Sequence, residues 1–140
     1  MKPLLLDTGP IVAVLDRRDP YHEWVLPRFQ ALQGRLVTTG AVVTEVAFFL
    51  QNVRDGIQRL FEFVEASRVE IPDAFTADRL RWAFALMNTY ADTPMDFADA
   101  TLVVLAEELG TEQIITADER GFRTYRHCGN EPFRLLLQDS

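Results

Sequence analysis

Short apolar segments alternate along the chain with longer segments of helical periodicity, and this alternation limits the possible folds more than any other feature. The sequence predicts strands over residues 3–6, 35–38, 69–71, 113–116 and 133–137. It predicts helices over residues 11–15, 19–33, 40–52, 55–66, 76–90 and 93–109. Strands that alternate with helices pair in parallel and are covered on both faces. We therefore predict an α/β fold, a three-layer α/β/α sandwich with a mostly parallel central sheet.

Size and composition are typical of one soluble globular domain. The chain has 140 residues, of which 48% are hydrophobic and 25% charged, so we expect a single domain over residues 1–140. The single cysteine, Cys128, excludes an intramolecular disulfide and fits a reducing cytosol. No targeting signal is recognisable, and no segment approaches the roughly 20 apolar residues of a membrane span. We expect a cytoplasmic protein that does not bind membranes.

Lysine is almost absent, and this excludes several catalytic classes. Lys2 is the only lysine, so the chain has neither a P-loop nor an interior lysine for a Schiff base. Phosphoaspartate receivers and haloacid-dehalogenase phosphatases also place aspartates on α/β folds, but they require such a lysine. A small-molecule phosphatase is therefore disfavoured.

Two acidic residues follow predicted strands. Asp7 comes directly after the first strand, and Asp118 comes two residues after the strand that ends at Thr116. Ligands of open parallel sheets bind beyond the carboxyl ends of the strands. We therefore expect Asp7 and Asp118 to lie at the same edge of the sheet.

Three further acids lie on helix faces that otherwise belong to a core. Glu45 has only apolar residues three and four positions away, and Asp99 has only apolar ones apart from Asp96. Asp96 precedes Asp99 by three positions, so a helix places both on one face. An ionised carboxylate on an apolar face is costly unless a cation meets it. The nearest arginines, Arg35 and Arg54, lie outside the helix that carries Glu45.

A cluster of these acids predicts a divalent cation and hydrolysis of phosphodiesters. Two like charges about 4 Å apart repel by roughly 4 kcal/mol at an effective dielectric of 20, so a cluster without a cation would destabilise a small domain. Carboxylates suit Mg²⁺ or Mn²⁺, which can activate water and neutralise phosphoryl charge. The net charge of −7 argues against a general nucleic-acid coat. Without the five site acids, however, the 14 basic residues would face 16 of the 21 acidic ones.

Each acid also has a structural interpretation. Asp7 could be a turn residue before a helix, Asp96 a helix N-cap, and Asp118 the cap of a short turn over residues 119–121. Glu45 and Asp99 could be plain structural acids. Because four acids at strand ends and on apolar helix faces need a common explanation, we favour a shared site.

Four segments in chain order resemble the motifs of the PIN-domain family, and within it the VapC-like toxin ribonucleases of bacterial toxin–antitoxin pairs. They read LLDTGPIVA at 5–13, TEV at 44–46, PMDFADA at 94–100 and ITADERGF at 115–122, and the resemblance covers nearly the whole chain. It implies that Asp7 and Asp99 are the main metal ligands, and that Glu45 and Asp118 complete the site directly or through water. Many relatives carry one aspartate in the third motif, so Asp96 is a site acid or a helix cap.

The resemblance also implies RNA as the substrate, a homodimer, and a cognate antitoxin that holds the enzyme inactive. Two groups of arginines could hold RNA phosphates or be solvated surface residues: Arg17 and Arg18, and Arg120, Arg123 and Arg126. The hydroxyls of Thr8 and Thr116 could assist the site or make ordinary turn bonds. Part of the aromatic surface could form a dimer interface, and the residues considered are Phe48, Phe49, Leu60, Phe61, Trp82 and Phe84.

Three functions fit these residues. The first is a metal-dependent endoribonuclease that acts as a toxin, and the second is an RNA-processing nuclease of the same fold without an antitoxin. The third is a catalytically silent module that binds RNA or a partner, against which the presence of all four motif acids argues.

Overall fold

A four-stranded parallel sheet forms the centre of the protein, as seen in a computed structural model that describes residues 2–72 and 75–139. Its strands run in the order β2-β1-β3-β6, with bounds β1 Leu4–Leu6, β2 Leu36–Val37, β3 Gln113–Ile115 and β6 Arg134–Leu135. All three pairings are parallel. A separate antiparallel pair consists of β4 (Arg126–His127) and β5 (Glu131–Pro132).

Helices connect the strands and flank the sheet. Their bounds are α1 Thr8–Leu15, α2 His22–Gln30, α3 Gly40–Leu50, α4 Gly56–Ala66, α5 Ala77–Thr89, α6 Phe97–Leu109 and α7 Glu119–Thr124. The predicted α/β fold with a mostly parallel central sheet is confirmed. Among the described residues, no helix has the length and apolarity needed to cross a membrane.

The core is centred on β1, β3 and α6. The side chains of Leu5, Leu6, Ile114 and Ile115 are fully buried, as expected for central strands covered on both faces. Helix α6 is buried without interruption over residues 98–106. Buried hydrophobic surface is the main stabilising contribution to such a domain, at about 25 cal/mol per Å².

Capping residues place two helix starts differently from the sequence prediction. Helix α1 begins at Thr8 rather than at Ile11, because the carboxylate of Asp7 accepts the backbone N–H of Thr8. Helix α6 begins at Phe97 rather than near Thr93, because Asp96 is its N-cap. In both cases the side chain satisfies a backbone donor of the first turn, which a periodic apolar pattern does not reveal.

The predicted strand over residues 69–71 is wrong. This segment contributes a single parallel bridge between Val37 and Glu70. Glu70 is exposed, and its carboxylate pairs with both Arg35 Nε and Nη2 at 2.9 and 3.1 Å. An exposed ion pair at the sheet edge thus takes the place of the apolar packing that would extend a strand.

Candidate active site

Asp7 lies at the carboxyl end of β1 with both carboxylate oxygens hydrogen-bonded. Oδ1 accepts the backbone N–H of Thr8 at 2.8 Å, and Oδ2 accepts the hydroxyl of Thr116 at 2.7 Å. The backbone N–H of Asp7 donates to Ile115 O of β3 at 3.0 Å. The side chain is buried, with 6% exposure. Neighbouring strand ends therefore fix the orientation of this carboxylate.

Thr116 links Asp7 to Asp118. While its hydroxyl donates to Asp7, the same oxygen accepts the backbone N–H of Asp118 at 2.9 Å. Asp118 is the N-cap of α7, and its Oδ1 accepts the backbone N–H of Gly121 at 3.0 Å. Asp118 therefore caps α7 and also lies at the same edge of the sheet as Asp7. The two predictions for this residue do not exclude each other.

Asp96 and Asp99 form a reciprocal capping box at the start of α6. Asp96 Oδ1 accepts the N–H of Asp99 at 2.8 Å, and Asp99 Oδ2 accepts the N–H of Asp96 at 3.2 Å. Asp99 is buried whereas Asp96 is exposed. Each residue uses one carboxylate oxygen in the capping box.

Glu45 approaches the same group of residues from α3. Burial raises the pKa of Glu45, the hydroxyl of Thr8 lowers it, and the charge of Asp96 raises it again. The Thr8 hydroxyl influences this carboxylate without reaching hydrogen-bond geometry, since its oxygen is buried without a hydrogen-bond partner. The structure thus leaves an unpaired buried hydroxyl between α1 and α3.

Burial and the neighbouring carboxylates raise the pKa values of Asp7 and Asp99. Burial is the largest of the causes that raise the pKa of Asp99 to about 9; the charges of Asp7, Asp96 and Asp118 also raise it, and the hydrogen bond from the backbone N–H of Asp96 lowers it. Burial also raises the pKa of Asp7 to about 6, although the hydrogen bonds from Thr116 and Thr8 oppose this effect. Every charged group that acts on Asp7 and Asp99 in this way is another carboxylate. The structure therefore brings all five predicted acids together.

Tyr125 was not predicted as part of this region. Its ring is fully buried, and its hydroxyl donates to Pro94 O at 2.8 Å, next to the segment that begins α6. Burial and the charges of four site aspartates raise its pKa well above the usual value. Tyr125 thus ties the end of α7 to the loop before Asp96 and stays protonated. No local sequence signal identifies it, because the contact joins segments 31 positions apart.

The donor set fits a hard divalent cation. Within residues 2–72 and 75–139, no three His, Cys, Asp or Glu side chains are grouped closely enough to hold one ion. The available donors are nevertheless carboxylate oxygens that repel one another, together with the unpaired Thr8 hydroxyl. A cation would offset this repulsion, and oxygen donors suit Mg²⁺ or Mn²⁺.

The two predicted groups of arginines differ in their environment. Arg17 and Arg18 are exposed just beyond the end of α1. Arg123 pairs with Glu119 and Asp139, and Arg126 donates to the carbonyls of residues 123–125 at the end of α7. Arg120 is exposed on α7. Arg123 and Arg126 therefore stabilise α7 and its surroundings.

An open aromatic groove adjoins the carboxylates. Its volume is about 820 Å³, and Glu45 and Asp96 lie on its wall. Phe48, Phe49 and Phe75 line it and expose 65%, 54% and 49% of their surface. Of the other residues considered for an interface, Phe61 and Phe84 are also exposed, while Leu60 is buried and Trp82 half-buried.

A parallel α/β sheet with an acidic site at the carboxyl ends of its central strands defines the class of this protein. The chain belongs to the PIN-domain family, whose sequence model matches residues 4–127. The predicted family is confirmed.

Two relatives are similar over most of the chain. The chain is 26% identical over 136 residues to ribonuclease VapC26 of Mycobacterium tuberculosis, covering 95% of this chain and 99% of that protein. The crystal structure of Mycobacterium tuberculosis VapC20, described as a sarcin-ricin loop cleaving toxin, superposes with a TM-score of 0.69. That match has 19% sequence identity and covers 83% of this chain and 90% of the other, so it supports the fold.

Proposed function

We propose that this protein is a metal-dependent endoribonuclease that hydrolyses RNA phosphodiester bonds. The convergence of five carboxylates from separate segments supports this proposal, because burial and repulsion raise the pKa values of Asp7, Glu45 and Asp99. Such a site attracts a cation and repels a bare phosphate. Membership of the PIN family and similarity to a protein named ribonuclease VapC26 favour RNA as the substrate.

Asp7, Asp99 and Asp118 are the proposed ligands of Mg²⁺ or Mn²⁺, with Glu45 and Asp96 completing the acidic site. A bound ion of this kind supplies an activated water and offsets the charge that builds up on a phosphoryl group. Thr116 holds the carboxylate of Asp7 in place, and the capping box holds those of Asp96 and Asp99. Burial and the neighbouring carboxylates raise the pKa of Asp99 and so favour its protonated form, whereas a bound cation would favour the ionised form.

A toxin with a cognate antitoxin is the preferred biological role. The similarity to VapC26 and VapC20 supports it. An RNA-processing nuclease without an antitoxin would use the same site, and a small antitoxin gene just upstream would distinguish the two. We also propose a homodimer whose interface includes the aromatic groove, because its phenylalanines are exposed in the isolated chain.

Cleavage of total cellular RNA tests the proposed activity. Purified protein should produce discrete fragments with Mg²⁺ or Mn²⁺, and none with EDTA. Asp99→Asn should abolish cleavage, since it removes a proposed ligand while an amide oxygen can still accept the N–H of Asp96. Asp78→Asn is the matched control, because Asp78 is an exposed acid in the first turn of α5.

Each result of this experiment has a defined meaning. Cleavage that persists in Asp99→Asn would contradict the site assignment. Absence of cleavage together with absence of a metal-induced thermal shift would favour the catalytically silent module.

A further inference from the structure

Four arginines from three segments meet in one groove at the far end of α1. Arg17 and Arg18 follow α1, Arg54 precedes α4, and Arg59 lies within α4. Together they line a groove of about 420 Å³, here called the arginine groove. The sequence suggested only Arg17 and Arg18, because Arg54 and Arg59 join them through tertiary packing.

The charge of the arginine groove is mostly uncompensated, with four arginines and one acid on its wall. Asp16 is the acid on its wall, and Oδ1 of this residue accepts the backbone N–H of Arg18 at 2.9 Å. Within residues 2–72 and 75–139, none of the four guanidinium groups forms an ion pair with a carboxylate. Arg59 Nη1 donates to Leu15 O at 3.2 Å, which anchors one guanidinium beside the end of α1. In a chain of net charge −7, such a concentration of cations marks a place for an anion.

The arginine groove lies near the carboxyl ends of α1 and α3, which pack against each other. The acidic site lies at the start of α1 and beside Glu45 of α3. Asp7 caps the start of α1, and Arg17 and Arg18 follow its end. Eight helical residues at about 1.5 Å per residue separate these ends by roughly 12 Å. Stacked nucleotides advance about 3.4 Å each along a strand, so this length corresponds to roughly three or four nucleotides. Helix α3 carries Glu45 and ends shortly before Asn52 and Arg54, so it follows the same direction.

We infer that the arginine groove binds the phosphate backbone of a single-stranded RNA several nucleotides away from the bond cleaved at the carboxylates. Guanidinium groups hold phosphates through paired hydrogen bonds, and backbone contacts position a strand without reading its sequence. An acidic site needs such an attractive region, because its own carboxylates repel RNA. The inference rests on the proposed function for RNA as the ligand and for the location of the cleaved bond.

Equilibrium binding of RNA without metal tests the groove separately from catalysis. The probe is a 3′-fluorescein-labelled, mixed-sequence single-stranded RNA of twelve nucleotides, titrated in EDTA at several salt concentrations. The variant is Arg17→Gln combined with Arg54→Gln. Its matched control combines Arg81→Gln with Arg134→Gln, which removes the same charge from exposed positions outside the groove. Circular dichroism confirms that both variants are folded.

The groove variant should bind the RNA roughly tenfold more weakly. The plot of log K against log salt should become less steep by about 1.4. This value assumes two lost phosphate contacts, each worth about 0.7 on a single strand. The control should stay within about twofold of the unchanged protein. Equal losses in both variants would show a general charge effect and overturn the inference, as would unchanged binding by the groove variant.

Cleavage assays separate a failure of the groove from a failure of the proposed nuclease. With Mg²⁺ or Mn²⁺, the groove variant should have a higher KM and a kcat within about twofold of the unchanged protein. The reason is that the lost contacts stabilise the bound substrate and the transition state equally. An unchanged KM in an active enzyme would overturn the groove but leave the nuclease intact. Weaker binding by the groove variant, in a protein that cleaves no RNA, would support the groove and contradict the nuclease.

Discussion

The hydroxyl of Thr116 donates a hydrogen bond to Oδ2 of Asp7 at 2.7 Å, joining residues that are 109 positions apart in the chain. The same hydroxyl oxygen accepts the backbone N–H of Asp118 at 2.9 Å. One buried group thus sets the positions of two proposed metal ligands. It also lowers the pKa of Asp7, opposing the effect of burial.

Thr116→Val should impair the site while preserving its shape. The change removes the donor to Asp7 and the acceptor for Asp118, and unpaired buried groups cost about 1–3 kcal/mol of stability. Misplaced ligands should lower kcat/KM roughly 10- to 100-fold. The acidic limb of the pH–rate profile should move to higher pH, because the pKa of Asp7 rises.

Thr116→Ser supplies the control for this prediction. It restores the hydroxyl and should restore most of the activity and the position of the acidic limb. A valine variant with a normal pH–rate profile would show that the hydroxyl has no role beyond packing.

Without metal, the protein should become less stable as the pH rises from 5 to 9. The pKa of Asp7 is raised from 3.8 to about 6 and that of Asp99 to about 9. The protonated forms favour the folded state, so their full contribution is present below about pH 4 and is lost as the pH passes these folded values. For Asp7 alone a shift of about two units corresponds to about 3 kcal/mol.

Thermal unfolding in EDTA checks this pH dependence. The Tm should fall by roughly 10 °C across the range, and Asp99→Asn should flatten the curve above about pH 6. Mg²⁺ should raise the Tm most at high pH, where the carboxylates are ionised. A Tm that increases between pH 6 and 9 in EDTA would contradict the mutual repulsion of the acids.

The sequence predicted the acids through two separate signals. Positions after strands located Asp7 and Asp118, and apolar helix faces located Glu45 and Asp99. Asp96 stayed open between a site acid and a helix cap. The structure makes it a cap at the site, using one of its two oxygens for the first turn of α6.

Features that depend on distant contacts could not be predicted from local patterns. The antiparallel β4–β5 pair is made of two-residue strands, too short to show an alternation of side chains. The buried position of Tyr125 and the meeting of Arg54 and Arg59 with Arg17 likewise arise from tertiary packing. Local patterns were informative for the site acids, because a charged residue on an otherwise apolar helix face conflicts with the periodicity around it.

Gly121→Ala should disturb the site through Asp118. A Cβ at position 121 would lie 2.3 Å from Asp118 Oδ2 and 2.9 Å from Asp118 Cγ, so the carboxylate would have to leave its place. Loss of this N-cap costs about 1 kcal/mol, and cleavage should fall as strongly as in Asp118→Ala. A double-mutant cycle checks the cause, because the combined variant should be no less active than Asp118→Ala alone. Additive losses would indicate damage elsewhere in α7.

Phe48→Gln should convert the proposed dimer to a monomer. Phe48 is 65% exposed in the aromatic groove and contacts Phe49 edge-on, with ring centroids 5.7 Å apart. Burying such aromatic surface between two copies would stabilise the dimer, and a polar amide at this position would weaken it. Light scattering after size-exclusion chromatography measures the mass. Phe61→Gln is the matched control, since Phe61 is 59% exposed on α4. A monomeric unchanged protein, or equal dissociation in both variants, would exclude the aromatic groove as the specific interface.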